Sequence, residues 1–201
     1  MEEYKKDKKN NASYYFIDKH LGTKIENKKV FIEATSSGRS ISYKELSIQT
    51  NKMIDLLSKL NIRREERVLM LVLDQIEFPI IFWGCIKAGV IPVPINTLLS
   101  KDIIKTILDD CRAKTIFVSE EIKNLIFEIP DLYTHTDNIF VIGKSNNDND
   151  VKNFITELNL CVEKQTMEVS GDEPAFWLYS SGSTGEPVSY THLTLPTTGS
   201  V

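Results

Sequence analysis

The spacing of apolar positions along this chain changes period several times, and each change marks an element. Leu46, Met53, Leu56, Leu57 and Leu60 recur at helical spacing, so a helix with one apolar face is predicted after Ser42. Ser42 and Glu45 form a capping-box pair at its start. Arg67 to Leu73 is almost uninterruptedly apolar, as in a strand covered on both faces. Ile76 to Lys87 predicts a helix, with Pro79 in its first turn and Gly89 closing it in a left-handed cap. Ile91 to Pro94 is a short strand whose prolines place it at an edge or strand end. Ser100 opens a helix through Cys111, and Thr115 to Val118 is the next strand. A helix from Ser119 to about Phe127, a strand over Asn138 to Ile142 and a helix over Val151 to Leu158 follow, the last after a polar loop, Lys144 to Asp150. Nearer the start, Tyr14 to Leu21 reads as a short helix ending near Gly22. Val30 to Ile32 and Arg39 to Ile41 pair across a Ser-Ser-Gly turn. Strands alternating with helices predict an α/β domain: a mostly parallel sheet with helices on both faces.

The most informative stretch lies near the end. Ala175-Phe176-Trp177-Leu178-Tyr179 reads as a buried strand, and it empties into Ser180-Ser181-Gly182-Ser183-Thr184-Gly185-Glu186-Pro187. Glycines let a backbone turn freely and approach a ligand closely. Successive amides then form an anion-binding concavity, to which hydroxyls add donors. The stretch is not a Walker A loop, because no Lys follows Gly185, and it is not G-x-G-x-x-G. The competing reading is a flexible Ser/Gly linker; the strand in front of it favours a phosphate loop.

The order Tyr-Ser-Ser-Gly-Ser-Thr-Gly-x-Pro resembles the signature loop of the adenylate-forming (AMP-binding) superfamily. Two upstream segments support the likeness independently. Ser42-Tyr43-Lys44-Glu45-Leu46 is similar to the family's early T/S-Y-x-E-L helix start, and Lys87-Ala88-Gly89 to Asn96 to its K-A-G turn. The resemblance covers Ala12 to Pro187. Within the superfamily the chain resembles benzoate-CoA and related aryl-CoA ligases. That likeness rests on Asp18, Glu65 to Leu69, Leu73-Asp74 to Phe78-Pro79, Asn96-Thr97-Leu98-Leu99, and Phe176 to Gly182.

The resemblance implies the first part of a large N-terminal domain. It implies an acid-thiol ligase in which a carboxylate attacks the α-phosphate of ATP, giving an acyl-adenylate and pyrophosphate. Coenzyme A then displaces AMP. ATP, Mg2+ and coenzyme A are the implied cofactors and co-substrates, and an aromatic acid the implied partner. Ser181, Gly182, Ser183, Thr184 and Gly185 match the loop that wraps the β- and γ-phosphates, with Thr184 as the foremost hydroxyl donor. The family's Lys after Pro187 is absent, and its acid-pocket residues, acidic metal ligand, ribose-binding Asp and catalytic Lys have no counterparts here. This chain is therefore expected not to catalyse adenylation alone, even if the parent enzyme does. The alternatives are a ligase for a fatty or short-chain acid, or a non-catalytic nucleotide-binding or interaction module.

Val188 to Thr197 matches a one-frame translation of a transposon-end sequencing adapter, so residues 188–201 are expected to be a non-native tail. Residues 1–11, rich in Lys, are expected to be a frayed terminus, leaving 12–187 as the truncated domain. An open sheet edge would then leave the isolated chain poorly soluble or partly molten. A net charge of −4 gives no reason to invoke nucleic acid or an anionic membrane. The longest apolar stretch, Phe78 to Ile86, is too short to cross a bilayer. Cys85, Cys111 and Cys161 show no metal spacing; isolated thiols suit a reducing cytoplasm, and Cys85 and Cys111 read as buried. His20, His135 and His192 have no recognisable catalytic partners, and the first two read as surface residues.

Overall fold

The computed structural model describes residues 7–35, 38–144, 151–181 and 187–190. A short helix α1 (Ala12–Phe16) is capped by the side chain of Asn11, which accepts from Ser13 N–H at 3.1 Å. Within the expected tail 1–11, the residues from Asp7 on are described, and Asp7, Lys9 and Asn10 are exposed. Asp7 bridges Val169 in an antiparallel pair, and Asn11 is buried. Strands β1 (Lys29–Ile32) and β2 (Ser40–Ser42) form the expected antiparallel hairpin. Helix α2 (Tyr43–Lys59) starts in the capping box read from sequence: Glu45 N–H donates to Ser42 Oγ at 3.2 Å, and Ser42 N–H to Glu45 Oε2 at 2.8 Å.

The doubly wound core comes next. Strand β3 (Arg67–Leu71) is followed by α3 (Glu77–Lys87), β4 (Ile91–Pro94), α4 (Lys101–Cys111) and β5 (Thr115–Ser119). A turn of 3-10 helix, Glu120–Ile122, leads to α5 (Lys123–Phe127) and β6 (Asn138–Ile142). A two-residue strand β7 (Lys152–Asn153) precedes α6 (Phe154–Asn159). The five strands form one all-parallel sheet in the order β4-β3-β5-β6-β7. The helix expected over 151–158 thus begins later. Asn153 is still extended, and its side chain caps α6 by accepting from Thr156 N–H at 3.0 Å.

The chain enters the sheet at β3, steps out to β4, then crosses back over β3 to β5. Right-handed crossovers require that reversal to move the connecting helix to the other face. Two separate cores show that it does. Val68, Met70, Phe117 and Phe140 pack with residues of α2, α3 and α6. Their alternates Leu69, Leu71, Ile116, Val118, Ile139 and Val141 pack with α4 and α5. Period-two alternation thus puts every second residue of β3 on each core, which is why the strand reads as continuously apolar.

Close approach of α2 and α3 depends on Gly84: a Cβ there would stand 2.4 Å from Met53 Cβ. Gly89 closes α3 at φ +68°. The β4 prolines mark an edge, as expected. Ile91 N–H and Ile95 N–H donate inward to Glu66 and Met70 carbonyls, so Pro92 and Pro94 fall at the outward positions where no N–H is needed.

Candidate functional site

A doubly wound sheet binds ligands outside the carboxyl ends of the strands where the strand order reverses. Here that point lies between β3 and β5. Ser119, fully buried at the end of β5, accepts from Leu73 N–H at 3.0 Å and from Gln75 Nε2–H at 2.7 Å. The crevice is thereby tied shut at its base by the β3–α3 loop. Next to it the β1–β2 hairpin leans on the start of α3 over a cavity of 630 Å³ lined in part by Ile32, Asp74, Gln75 and Phe78.

A charged cluster fixes that contact. Arg39 donates to Glu33 through Nε at 3.0 Å and to Glu77 through Nη1 at 2.8 Å and Nη2 at 2.9 Å. Both carboxylate side chains are only 5% exposed, whereas Arg39 is half-exposed. Glu33 also accepts from Ile76 N–H at 2.9 Å, satisfying an orphan amide at the start of a helix that has no side-chain cap of its own. Arg39 holds Glu33 below the ordinary carboxylate range, aided by that amide and opposed by burial. Sequence reading placed Arg39 in a strand and missed its role. Glu33 and Arg39 face each other across the hairpin turn, and that spacing was the available signal.

The segment that leads to the Ser/Gly loop crosses the open edge of β4. Glu173 pairs with Arg64 and accepts from Ser170 N–H at 2.7 Å. Trp177 N–H donates to Pro92 O at 3.1 Å, and the Arg67 guanidinium stands 5.4 Å from the Trp177 ring. Tyr179 Oη donates to Asp110 Oδ2 at 2.6 Å, and burial pushes its phenol above the ordinary range. Strand β8 (Leu178–Ser181) then pairs antiparallel with β9 (Pro187–Tyr190), ending at Ser181 opposite Pro187.

The hairpin corrects one expectation. The run Ala175 to Tyr179 is not one buried strand: β8 begins at Leu178, which is 45% exposed. Among the described residues β8 pairs with β9 and not with the five-stranded sheet. Of the expected phosphate-loop residues, Ser181 ends β8, while Gly182, Ser183, Thr184 and Gly185 lie outside the described residues. Two strands bracket them in sequence.

The remaining polar groups do structural work. Lys87 is fully buried, and three acceptors match its three protons: Asp18 Oδ1 at 2.7 Å, Asn51 Oδ1 at 2.8 Å and Ser47 Oγ at 3.2 Å. Burial lowers its pKa and Asp18 draws it back up. All three cysteines are buried free thiols; burial pushes Cys111 up to about 11 and Cys85 further, which makes both unreactive. His20 lies against Tyr43, ring centres 4.5 Å apart and planes tilted by 49°. Among the described residues no cluster of His, Cys, Asp or Glu is placed to hold a metal ion. None of their helices is long and apolar enough to cross a membrane.

The profile of a known family, AMP-binding enzyme, matches residues 21–195. The chain belongs to the AMP-binding enzyme family. This family member is 31% identical over 187 residues to the 4-hydroxybenzoate–CoA/benzoate–CoA ligase of Rhodopseudomonas palustris, covering 91% of the chain and 33% of that relative. It is 32% identical over 184 residues to the benzoate–CoA ligase of Thauera aromatica, covering 91% and 34%. The crystal structure of an anthranilate CoA ligase in complex with anthranoyl-AMP superposes with a TM-score of 0.80 at 26% identity, covering 95% of this chain and 35% of that one. The chain spans about a third of the length of the curated relatives it matches. The sheet with helices on both faces agrees with this kinship.

Proposed function

We propose that this AMP-binding chain contributes the phosphate-holding part of an AMP-forming aryl-CoA ligase, one that activates benzoate or a related aromatic carboxylate. The observation that carries the reading is the Tyr179-to-Pro187 motif, in a chain about 30% identical to benzoate-CoA ligases over nine-tenths of its length.

In this reading Ser181, Gly182, Ser183, Thr184 and Gly185 cradle the β- and γ-phosphates of ATP. Their amides and hydroxyls supply donors where negative charge gathers as the carboxylate attacks the α-phosphate. Thr184 is the foremost side-chain donor. Magnesium enters as part of the ATP substrate, and no described residue is assigned to it. Strand β8, the arm of the β8–β9 hairpin that lies within the 12–187 domain, sets where the loop begins. Tyr179 on Asp110 and Trp177 on Pro92 and Arg67 hold that hairpin against the α/β core. The thioester-forming step belongs to the whole ligase with coenzyme A, and this chain alone is proposed to be inactive.

The test is acid-dependent ATP–pyrophosphate exchange, run on a full-length ligase carrying this segment and on the 201-residue chain. The reading expects exchange with benzoate or a hydroxybenzoate in the first and none in the second. In the full-length protein, Thr184→Ala should lower exchange at least tenfold, the scale of losing one preorganised donor. Exchange with fatty acids but not aromatic acids would overturn the substrate class. Exchange by the 201-residue chain would overturn its proposed inactivity.

A further inference from the structure

A second concavity lies apart from the 630 Å³ cavity beside the β1–β2 hairpin. It is a 360 Å³ cavity between α1, the last turns of α3 and the strap 169–176. That volume falls within the range of small-molecule sites, which are mostly apolar. Its walls are rings. Phe16 stands 5.0 Å from Trp83, Trp83 is edge-on to Phe82 at 5.2 Å, and Phe82 meets Phe176 at 5.3 Å. Val90 and Ala175 complete the lining on which the argument rests.

The polar groups on the rim are occupied by the protein itself. Asn11 donates to Ile86 O at 2.8 Å and accepts from Ser13 N–H at 3.1 Å. Asn10 donates to Val169 O at 3.3 Å. The charged side chain on the rim, Glu173, is matched by Arg64 and by Ser170 N–H. Among the described lining residues an occupant therefore finds ring faces and edges and no cation. A carboxylate brought here would be desolvated without a partner, beside an existing carboxylate. A neutral ring gains edge-to-face contacts and loses nothing.

We propose that this cavity is a binding site for one neutral, planar aromatic molecule of one or two fused rings. It discriminates against the charged acid, and it stands whether or not the aryl-CoA ligase reading holds. Its strap runs directly into Trp177 and β8, so an occupant presses on the segment that carries the phosphate-loop hairpin.

The test uses the purified 201-residue chain with naphthalene and 2-naphthoate as probes, followed by ligand-observed NMR. Naphthalene should bind saturably at one site, with nuclear Overhauser contacts to the Trp83 indole. 2-Naphthoate should bind at least about tenfold more weakly. Filling the cavity from either wall, with Ala175→Phe or Ala12→Leu, should each weaken naphthalene at least about tenfold, because a close-packed interior does not make room. Should one filled variant fail to fold, the other and the wild-type Trp83 contacts decide the matter. Non-saturable uptake, contacts elsewhere than Trp83, equal affinity for 2-naphthoate, or unchanged binding in a folded filled variant would each overturn the proposal.

Discussion

The five-stranded sheet and the β8–β9 hairpin lie within one chain but are held by different physics. Val68, Leu69, Met70 and Leu71 of β3 are all 0% exposed and sit between two apolar cores. Leu178 of β8 is 45% exposed, and its neighbours Trp177 and Tyr179 are only partly buried against the second core, where a phenol–carboxylate bond, a backbone bond and a cation–ring contact also hold them. Buried area resists opening in proportion to its size, whereas a few half-exposed contacts yield locally. Under the proposed reading, that is the contrast a phosphate loop would call on: a stiff scaffold beneath a more weakly held strand.

The comparison breaks most readily in the scaffold. Phe117 is fully buried, stacked on Phe140 at 5.0 Å and edge-on to Phe154 at 5.3 Å, so it ties β5, β6 and α6 together. Phe117→Ala should cost about 4 kcal/mol, the usual price of an emptied aromatic site. Urea unfolding should show a single transition moved to much lower denaturant. A loss below about 1 kcal/mol would mean that the sheet is not close-packed, as the expectation of a partly molten chain requires.

What the sequence disclosed divides along the same line. The Ser42–Glu45 box, the two-faced strand at Arg67 to Leu71, the edge prolines and the Gly89 cap were legible because each is a local rule acting on neighbouring residues. The bounds of α6 were not, because Asn153 could serve equally as a first helical residue or as the cap it proves to be. The run Ala175 to Tyr179 misled for a different reason. Apolar rings look alike in a buried strand and in a strap laid along a sheet edge, and periodicity cannot separate them. The Arg39 cluster escaped because its second partner, Glu77, lies 38 residues away. The loop residues were legible as chemistry through Ser, Thr and Gly, whereas their anchors Asp110, Pro92 and Arg67 become visible only once the fold brings them together.

That cluster gives the next prediction, at the boundary of the rigid region. Glu33 titrates below its ordinary value chiefly because Arg39 donates to it. A carboxylate with a lowered folded pKa adds stability that is present above its unfolded value, near 4.5, and is lost as pH falls through the folded one. Arg39→Met removes the cation and leaves both carboxylates buried. The cost at neutral pH should be about 2 kcal/mol, below the usual figure for a broken buried pair because the guanidinium is half-exposed. With the cation gone, burial should raise Glu33 instead, so acid should now favour its folded form. The stability gap between wild type and variant should therefore narrow from pH 7 to pH 3 in parallel urea titrations. A constant gap would show that Arg39 acts through packing and not through charge.

The smallest effect is the sharpest test of the two regions. Tyr179→Phe keeps the ring and removes the hydroxyl that reaches Asp110. Asp110 keeps access to water, so the net loss should be about 0.5–1 kcal/mol. If the hairpin opens independently, that loss appears in hydrogen exchange at Leu178 and Tyr179, faster by roughly two- to fivefold. Exchange at Val68 to Leu71 should then be unchanged, because those amides open only with the global transition. Equal acceleration in both sets would mean that hairpin and sheet open as one unit. Tyr179 would then be part of the scaffold, and any adjustment of the loop would have to come from residues beyond Ser181.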